Sequence, residues 1–376
     1  MSIREEIGRI GLKIFAKHRF KFKVTYTDFD PKRKSPYFLI ANHAQSNDPL
    51  FLGMMLKYYP YPVANALLYT KPAMRFGLNH IVTSIMKRKG QSDIQTIKQI
   101  IHTFQKKNRG VMLFPEGNAS YFGNETKTDY TSTAKLLKKI NKDVIMGQIN
   151  GGFFAQPRWG KYVKKGEYHV HFYKLLSTTD LETLSVEEIA QKMTDAIAFN
   201  DYTWNREKKI PYRSQTKAEG LEYYLYACPK CESLSHIHTK GNAIYCPTCG
   251  QIGDINLYND IEHSVFDNLV DWGAYQEKLI LKIVENPIKS EGELFNIYFD
   301  QLKRVSQGHV MLTLTKKSLT VKNENLEKEF MLDDIKGFAL TQKNFVSFDY
   351  GTETYDIQVK HPKLLLDAMH YLKKGE

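Results

Sequence analysis

His43 and Asp48 have four residues between them in Asn42-His43-Ala44-Gln45-Ser46-Asn47-Asp48, which lies between an apolar run, Pro36 to Ala41, and a helical pattern of Phe51, Leu52, Met55 and Leu56 opened by Asp48-Pro49. The run reads as a buried strand and the pattern as a helix, so the pair lies on a strand-loop-helix edge, where catalytic groups are often presented. A carboxylate beside an imidazole fixes its tautomer and stabilises its charged form. That combination suits removal of a hydroxyl proton, with His43 as base and Asp48 as its holder. A chain with 12 His and 41 acidic residues also produces such spacings by chance.

A second stretch raises the pair above chance. Val111-Met112-Leu113 runs into Phe114-Pro115-Glu116-Gly117-Asn118-Ala119-Ser120, again an apolar strand entering a turn with one carboxylate at the corner. An NHxxxxD block followed by FPEG resembles the lysophospholipid acyltransferases, a family that includes the 1-acylglycerol-3-phosphate acyltransferases. The likeness covers about the first 200 residues. It implies transfer of a fatty acyl group from acyl-CoA or acyl-carrier protein to the hydroxyl of a lysolipid, with no metal in the chemistry. It also implies that Arg88, at the end of a basic strand, helps hold the acceptor and that Glu116, Gly117 and Asn118 shape its pocket. One departure matters. Where the phosphate-acceptor members continue with Thr-Arg-Ser, this chain has Asn118, Ala119 and Ser120, so a guanidinium is missing. The expected acceptor is therefore a lysolipid less charged than lysophosphatidate, with Asn118 and Gln148 as polar contacts.

All four cysteines lie in Cys228-Pro229-Lys230-Cys231 and Cys246-Pro247-Thr248-Cys249. Two CxxC pairs with fourteen residues between them can close four thiolates on one zinc ion at about 2.3 Å each. This resembles a zinc ribbon, and a closed four-sulfur shell implies a structural ion. A redox role is the competing reading, although one pair would suffice for it. His236 and His238 lie in the intervening loop and are not needed as ligands.

A formal charge of +12 on 376 residues implies anionic partners: nucleic acid, an acidic carrier protein or an anionic lipid surface. The bases are scattered rather than gathered in a stripe, so nucleic acid is not expected; a non-catalytic lipid- or nucleic-acid-binding protein is the alternative function. No apolar run approaches the roughly 20 residues that span a bilayer. Ile3, Ile7, Ile10 and Ile14 step along one face of a helix whose other face carries Arg4, Glu5, Arg9, Lys13 and Lys17. That pattern fits packing on its own domain or lying in a membrane surface, and the family resemblance favours the second. The expected location is cytoplasmic, peripherally associated with membrane.

Strands at Lys21–Thr27, Tyr61–Leu67, His80–Met86, Asp143–Ile149 and Tyr168–Leu175 alternate with helices, two of them opened by capping boxes, Ser92 with Gln95 and Ser185 with Glu188. This implies an α/β domain over residues 1–210, a mixed sheet with flanking helices and an N-terminal amphipathic helix. Lys71 to Gly77 reads as a basic turn and Gln156 to Gly166 as an exposed hairpin. The zinc ribbon is expected at 222–253, a helical connector at 254–292, and a small β-rich domain at 293–376, where seven short strands and a closing helix (Pro362 to Lys373) resemble the pleckstrin-homology-like fold.

Overall fold

The computed structural model describes residues 3–88 and 94–374; the expected helix cap Ser92 and the base Lys89 lie outside the described residues. The chain forms two compact units. The first runs to Ser214 apart from Arg88 and residues 159–162, which group with the second; the second continues from Gln215.

The first unit is built on seven strands: β1 (Lys21–Thr27), β2 (Phe38–Ala41), β3 (Tyr61–Asn65), β4 (Ile85–Lys87), β5 (Val111–Leu113), β6 (Val144–Asn150) and β7 (Glu167–Leu176). Their order across the sheet is β1-β7-β6-β2-β5-β3-β4. β2 lies between β5 and β6, parallel to both, and all four of its residues are buried. A strand covered on both faces must be apolar throughout, which is why Phe38 to Ala41 reads as a continuous run instead of an alternating one. On one face, helices Ile94–Gln105, Thr131–Ile140 and Val186–Ile197 bring Ile100, Phe104, Leu137, Ile189 and Met193 onto Phe38, Ile40, Val111 and Val144. On another side, Phe20, Phe22, Phe51 and Tyr168 meet mostly edge to face, including the helix Asp48–Met54 that carries Phe51. β7 alone runs against β6, and β1 runs parallel to β7. The C-terminal ends of β2 and β6 therefore share one sheet edge with the N-terminal ends of β7 and β1.

Two local expectations are corrected. Lys71 to Gly77 is no turn: Pro72 begins a helix to His80, because proline's fixed φ suits the first helical position, and the expected strand His80 to Met86 shrinks to β4. Gln156 to Gly166 is no exposed hairpin, since Trp159 and Lys164 are buried. After Asn200, whose side chain caps it, the chain forms a helix, Asp201–Lys208, and the first unit runs on to Ser214. The N-terminal helix, Ile3–Arg19, turns Gly8 and Leu12 inward against Ile81 and the Leu50–Met54 face. Ile7, Ile10 and Ile14 are left 65%, 47% and 69% exposed.

In the second unit, β8 (His238–Lys240), β9 (Ala243–Cys246), β10 (Gly250–Ile255) and β11 (Ile261–Glu262) form an antiparallel sheet. The stretch 254–292 is less helical than expected, with one helix at Leu269–Ile283. Then β12 (Ile288–Tyr298), β13 (Lys303–Leu314), β14 (Ser318–Lys322), β15 (Glu327–Met331), β16 (Ile335–Thr341), β17 (Phe345–Tyr350) and β18 (Glu353–Val359) form a second antiparallel sheet in the order β15-β14-β13-β12-β18-β17-β16, and the helix Pro362–Lys374 follows. β12 starts seven residues before the expected Phe295. Its polar first half, Ile288 to Gly292, takes its extended form from pairing with β13, a neighbour that local sequence does not reveal. Tyr226 and Ala227, next to the first cysteine pair, share one core with this sheet, the Leu269–Ile283 helix and the closing helix.

Candidate active site and metal cluster

The ladder between β2 and β6 stops at Ala41 and Gly147. Beyond it the buried Asn42 side chain acts as one more peptide unit: its Nδ2 donates to the Ile149 carbonyl at 2.9 Å and its Oδ1 accepts from Ile149 N–H at 2.7 Å. The next residue is thus delivered to a fixed place at the sheet edge. His43 Nδ1 lies 2.9 Å from Asp48 Oδ2. Asp48 is 0% exposed. Its Oδ2 also accepts from Gln45 N–H at 2.8 Å, and its Oδ1 accepts from the Tyr168 hydroxyl at 2.7 Å. Burial and the adjoining Asp48 push the Tyr168 phenol well above its ordinary range, so it stays a donor. With Nδ1–H committed to the carboxylate, the Nε2 lone pair is the imidazole's remaining acceptor, the atom that can take up a proton.

The segment from Phe114 to Ser120 grips the same histidine at three points. Phe114 lies against its ring, centroids 4.4 Å apart. Glu116 Oε1 accepts from His43 N–H at 2.7 Å, and the His43 carbonyl accepts from Ser120 N–H at 2.7 Å. The other Glu116 oxygen accepts from Thr126 N–H at 2.6 Å. Burial pushes the Glu116 carboxyl up to about 8 despite those two donors. The carboxylate of Glu116, expected to shape the acceptor pocket, faces inward and clamps two backbone segments. Gly117 follows with φ +71°, a conformation favouring glycine, in open space. Asn118 beside it is half-buried.

Behind the pair, the turn after β6 brings Gly151 and Gly152 close. A Cβ on Gly152 would sit 2.9 Å from that of Ala44, so only a bare backbone fits beside the His43 loop. The buried Asp201 carboxylate holds this turn through Gly151 and Phe153 N–H at 2.8 and 3.1 Å, and burial raises it to about 7.

Arg88 follows β4 in the chain, and its guanidinium lies 4.5 Å from the Phe299 ring; both residues group with the second unit. Another arginine, unremarked in the sequence, approaches the altered block: Arg158 Nη1 donates to the Ala119 carbonyl at 3.0 Å, and its guanidinium lies over Tyr121. Ala119 is only 6% exposed, leaving little room for the arginine the family carries there. Tyr168, 120 positions from Asp48, gave no signal beyond alternation in a strand. Asn42 was visible as part of the motif, but not its bond to Ile149.

In the second unit the sulfurs of Cys228, Cys231, Cys246 and Cys249 all lie within 4.8 Å of one another. Those of Cys231 and Cys246 are 3.7 Å apart. A tetrahedron with bonds of about 2.3 Å has edges of about 3.8 Å, so this donor set fits a zinc-sized ion. His236 and His238 are not in the cluster.

Residues 22–146 match the family model described as Acyltransferase. The chain is 27% identical over 165 residues to the 1-acyl-sn-glycerol-3-phosphate acyltransferase of Saccharomyces cerevisiae, a span that is 43% of this chain and about half (54%) of that protein's length. It also aligns with the crystal structure of the 1-acyl-sn-glycerophosphate (LPA) acyltransferase PlsC from Thermotoga maritima, at TM-score 0.43 and 14% identity over 57% of this chain and 86% of that one. The part of the chain that matches the Acyltransferase family model, residues 22–146, thus carries both His43–Asp48 and Phe114–Gly117.

Proposed function

We propose that this protein is an O-acyltransferase that moves a fatty acyl group from acyl-CoA or acyl-carrier protein to the hydroxyl of a lysolipid at a membrane surface. The observation that carries the reading is the His43–Asp48 hydrogen bond, with the aspartate fully buried and bonded by Gln45 and Tyr168, inside the Acyltransferase-family segment. Nε2 of His43 takes the proton of the acceptor hydroxyl as its oxygen attacks the thioester carbonyl. The tetrahedral adduct then expels the thiolate, which recovers that proton from the imidazolium, so His43 ends as it began. Asp48 stabilises the imidazolium in between. A positioned base of this kind contributes about 10²–10⁴-fold.

The acceptor would be a lysolipid less charged than lysophosphatidate, with Asn118 and Gln148 as polar contacts and Arg88 kept as a candidate for its headgroup. The outward Ile7, Ile10 and Ile14, together with the exposed Met74 and Phe76, suit insertion among headgroups. No helix among the described residues is long and apolar enough to cross a membrane. The cysteine cluster would hold zinc as a fold-stabilising ion with no part in the reaction, and the strand order from β15 to β16 supports the pleckstrin-homology-like reading of the C-terminal sheet. The test is incubation of purified protein with acyl-CoA or acyl-carrier protein and a panel of lysolipids, with products weighed by mass spectrometry. Failure to acylate any lysolipid from either donor refutes it.

A further inference from the structure

An open cleft of about 430 Å³ lies at the start of β1 and β7, where the N-terminal helix ends. Lys17, Arg19, Lys21, Lys165 and Arg213 line it, against a single carboxylate, Glu167. That carboxylate is already engaged. Lys21 bonds one of its oxygens and His169 the other, and the two bases, Lys21 foremost, hold it below the usual carboxylate range. The cleft thus presents a strong excess of positive charge, and its five bases are solvent-exposed. Its frame is fixed by backbone: Lys165 and Arg213 each donate N–H to the other's carbonyl at 2.9 Å, and the Tyr212 hydroxyl donates to the Glu167 carbonyl at 2.7 Å. Three segments distant in sequence therefore converge their bases on one hollow.

The topology places this hollow relative to the catalytic pair. β7 runs against β6, which is parallel to β2, so Glu167 at the start of β7 and His43 beyond the end of β2 lie on the same sheet edge. The order β1-β7-β6-β2 separates β1 from β2 by three strand spacings, about 14 Å at about 4.8 Å each. Along β7 the side chains alternate: the Tyr168 hydroxyl reaches Asp48 on one face, while its chain neighbour Glu167 turns to the other and lines the cleft at the end of the sheet. A donor with its thioester at His43 would need to place multiply charged groups one extended arm away, which is the layout of a phosphopantetheine thioester.

We propose that this cleft binds the phosphate-bearing end of the acyl donor, the acyl chain and thioester lying toward His43. The inference rests on the acyltransferase reading and adds where the donor's carrier is gripped. The bases pair with phosphate oxygens and take no part in the bond changes at the thioester. Coenzyme A and the phosphopantetheine of a carrier protein share this chemistry.

The test uses the full-length protein and its Lys165→Glu/Arg213→Glu variant, with Lys165→Gln/Arg213→Gln as a milder companion and circular dichroism to establish that each is folded. Calorimetric titration with coenzyme A should show binding to the parent, at least tenfold weaker in the double Glu variant and intermediate in the Gln variant. The KM for acyl-CoA should rise by a similar factor while kcat changes less than threefold. The same titration with holo-acyl-carrier protein shows which source the cleft favours; weakened binding of either supports the proposal. Unaltered affinity for both carriers in the folded Glu variant would overturn it, as would loss of binding to phosphatidylglycerol vesicles with carrier binding intact, which would make the cleft a membrane contact. Titration needs no turnover, so carrier binding lost in the variant of a protein that acylates no lysolipid would sink the acyltransferase reading while leaving the cleft's ligand standing.

Discussion

The His43 site and the four-cysteine cluster are assembled in opposite ways. The cluster draws its ligands from two CxxC turns within residues 228–249, so the spacing written in the sequence is nearly the geometry itself. The His43 site takes its two central groups from one loop, but what fixes them comes from far along the chain: Tyr168 on Asp48, Glu116 and Ser120 on the His43 backbone, Ile149 on Asn42. A metal site can be local because the ion itself supplies the organising energy. The His43 groups are held by hydrogen bonds to rigid elements, and a short loop cannot provide enough of them.

The sharpest way to break this contrast is to remove one ligand. Cys231→Ser should release zinc and loosen the second unit, because metal binding is folding energy there, on the order of 10 kcal/mol in small zinc domains. Acyl transfer should fall less than tenfold. Elemental analysis with melting curves checks the first point; a protein purified without chelator and holding no zinc would contradict it.

The counterpart on the other side is His43→Ala, expected to lower turnover by about 10²–10⁴-fold, with the thermal midpoint moved only slightly because the imidazole is at a loop edge. Turnover within a few-fold of the parent would end the base assignment.

The inward carboxyls offer a test by pH. Glu116 rises from 4.5 to about 8 and Asp201 from 3.8 to about 7, both chiefly by burial. Each folded-state value exceeds the unfolded one, so the folded protein holds more protons between them. The stability these groups contribute is full below about pH 4 and is lost as pH rises through 7 and 8. The first unit should therefore lose a few kcal/mol between pH 5 and 8.5, read from urea midpoints; a flat or rising profile would show that the two carboxylates are ionised in the fold. Glu167, Asp180 and Glu188 are lowered and finish titrating below this window.

A smaller effect should follow Tyr168→Phe, which removes one donor from Asp48 while keeping the ring among Phe20, Phe22 and Phe51. A hydrogen bond to a charged group is worth about 1.5–3 kcal/mol, so kcat/KM should fall roughly ten- to a hundredfold. An unchanged value would mean that Asp48 is held well enough locally and would erase much of the contrast drawn above.

The smallest change concerns the acceptor. Ala119→Arg combined with Arg158→Ala, the second change removing the guanidinium bonded to the Ala119 carbonyl, should raise activity on lysophosphatidate several-fold relative to less charged lysolipids, measured in mixed-acceptor competition. If the parent already prefers lysophosphatidate and the ranking does not move, the argument from the missing arginine fails.

The sequence by itself determined what depends on neighbours along the chain. Four buried residues before Asn42 could only be an inner strand, the Ser185-x-x-Glu188 box both starts and caps its helix, and two CxxC pairs close on one another. His43 and Asp48 were legible because five positions of loop suffice to bring them within 2.9 Å. Tertiary structure decided the rest. The sequence suggests that Glu116 shapes the acceptor pocket, but that its carboxylate reaches the His43 N–H depends on the docking of its loop beside the His43 loop. Arg88 kept its place after a strand, yet which neighbour it meets depended on the packing around Phe299. Lys17, Lys165 and Arg213 looked like scattered surface charge, and they share a cleft because β1 and β7 pair in parallel after more than a hundred intervening residues. Periodicity, caps and short loops are properties of local backbone energetics, whereas which side chains converge is set by strand order, which no single segment encodes.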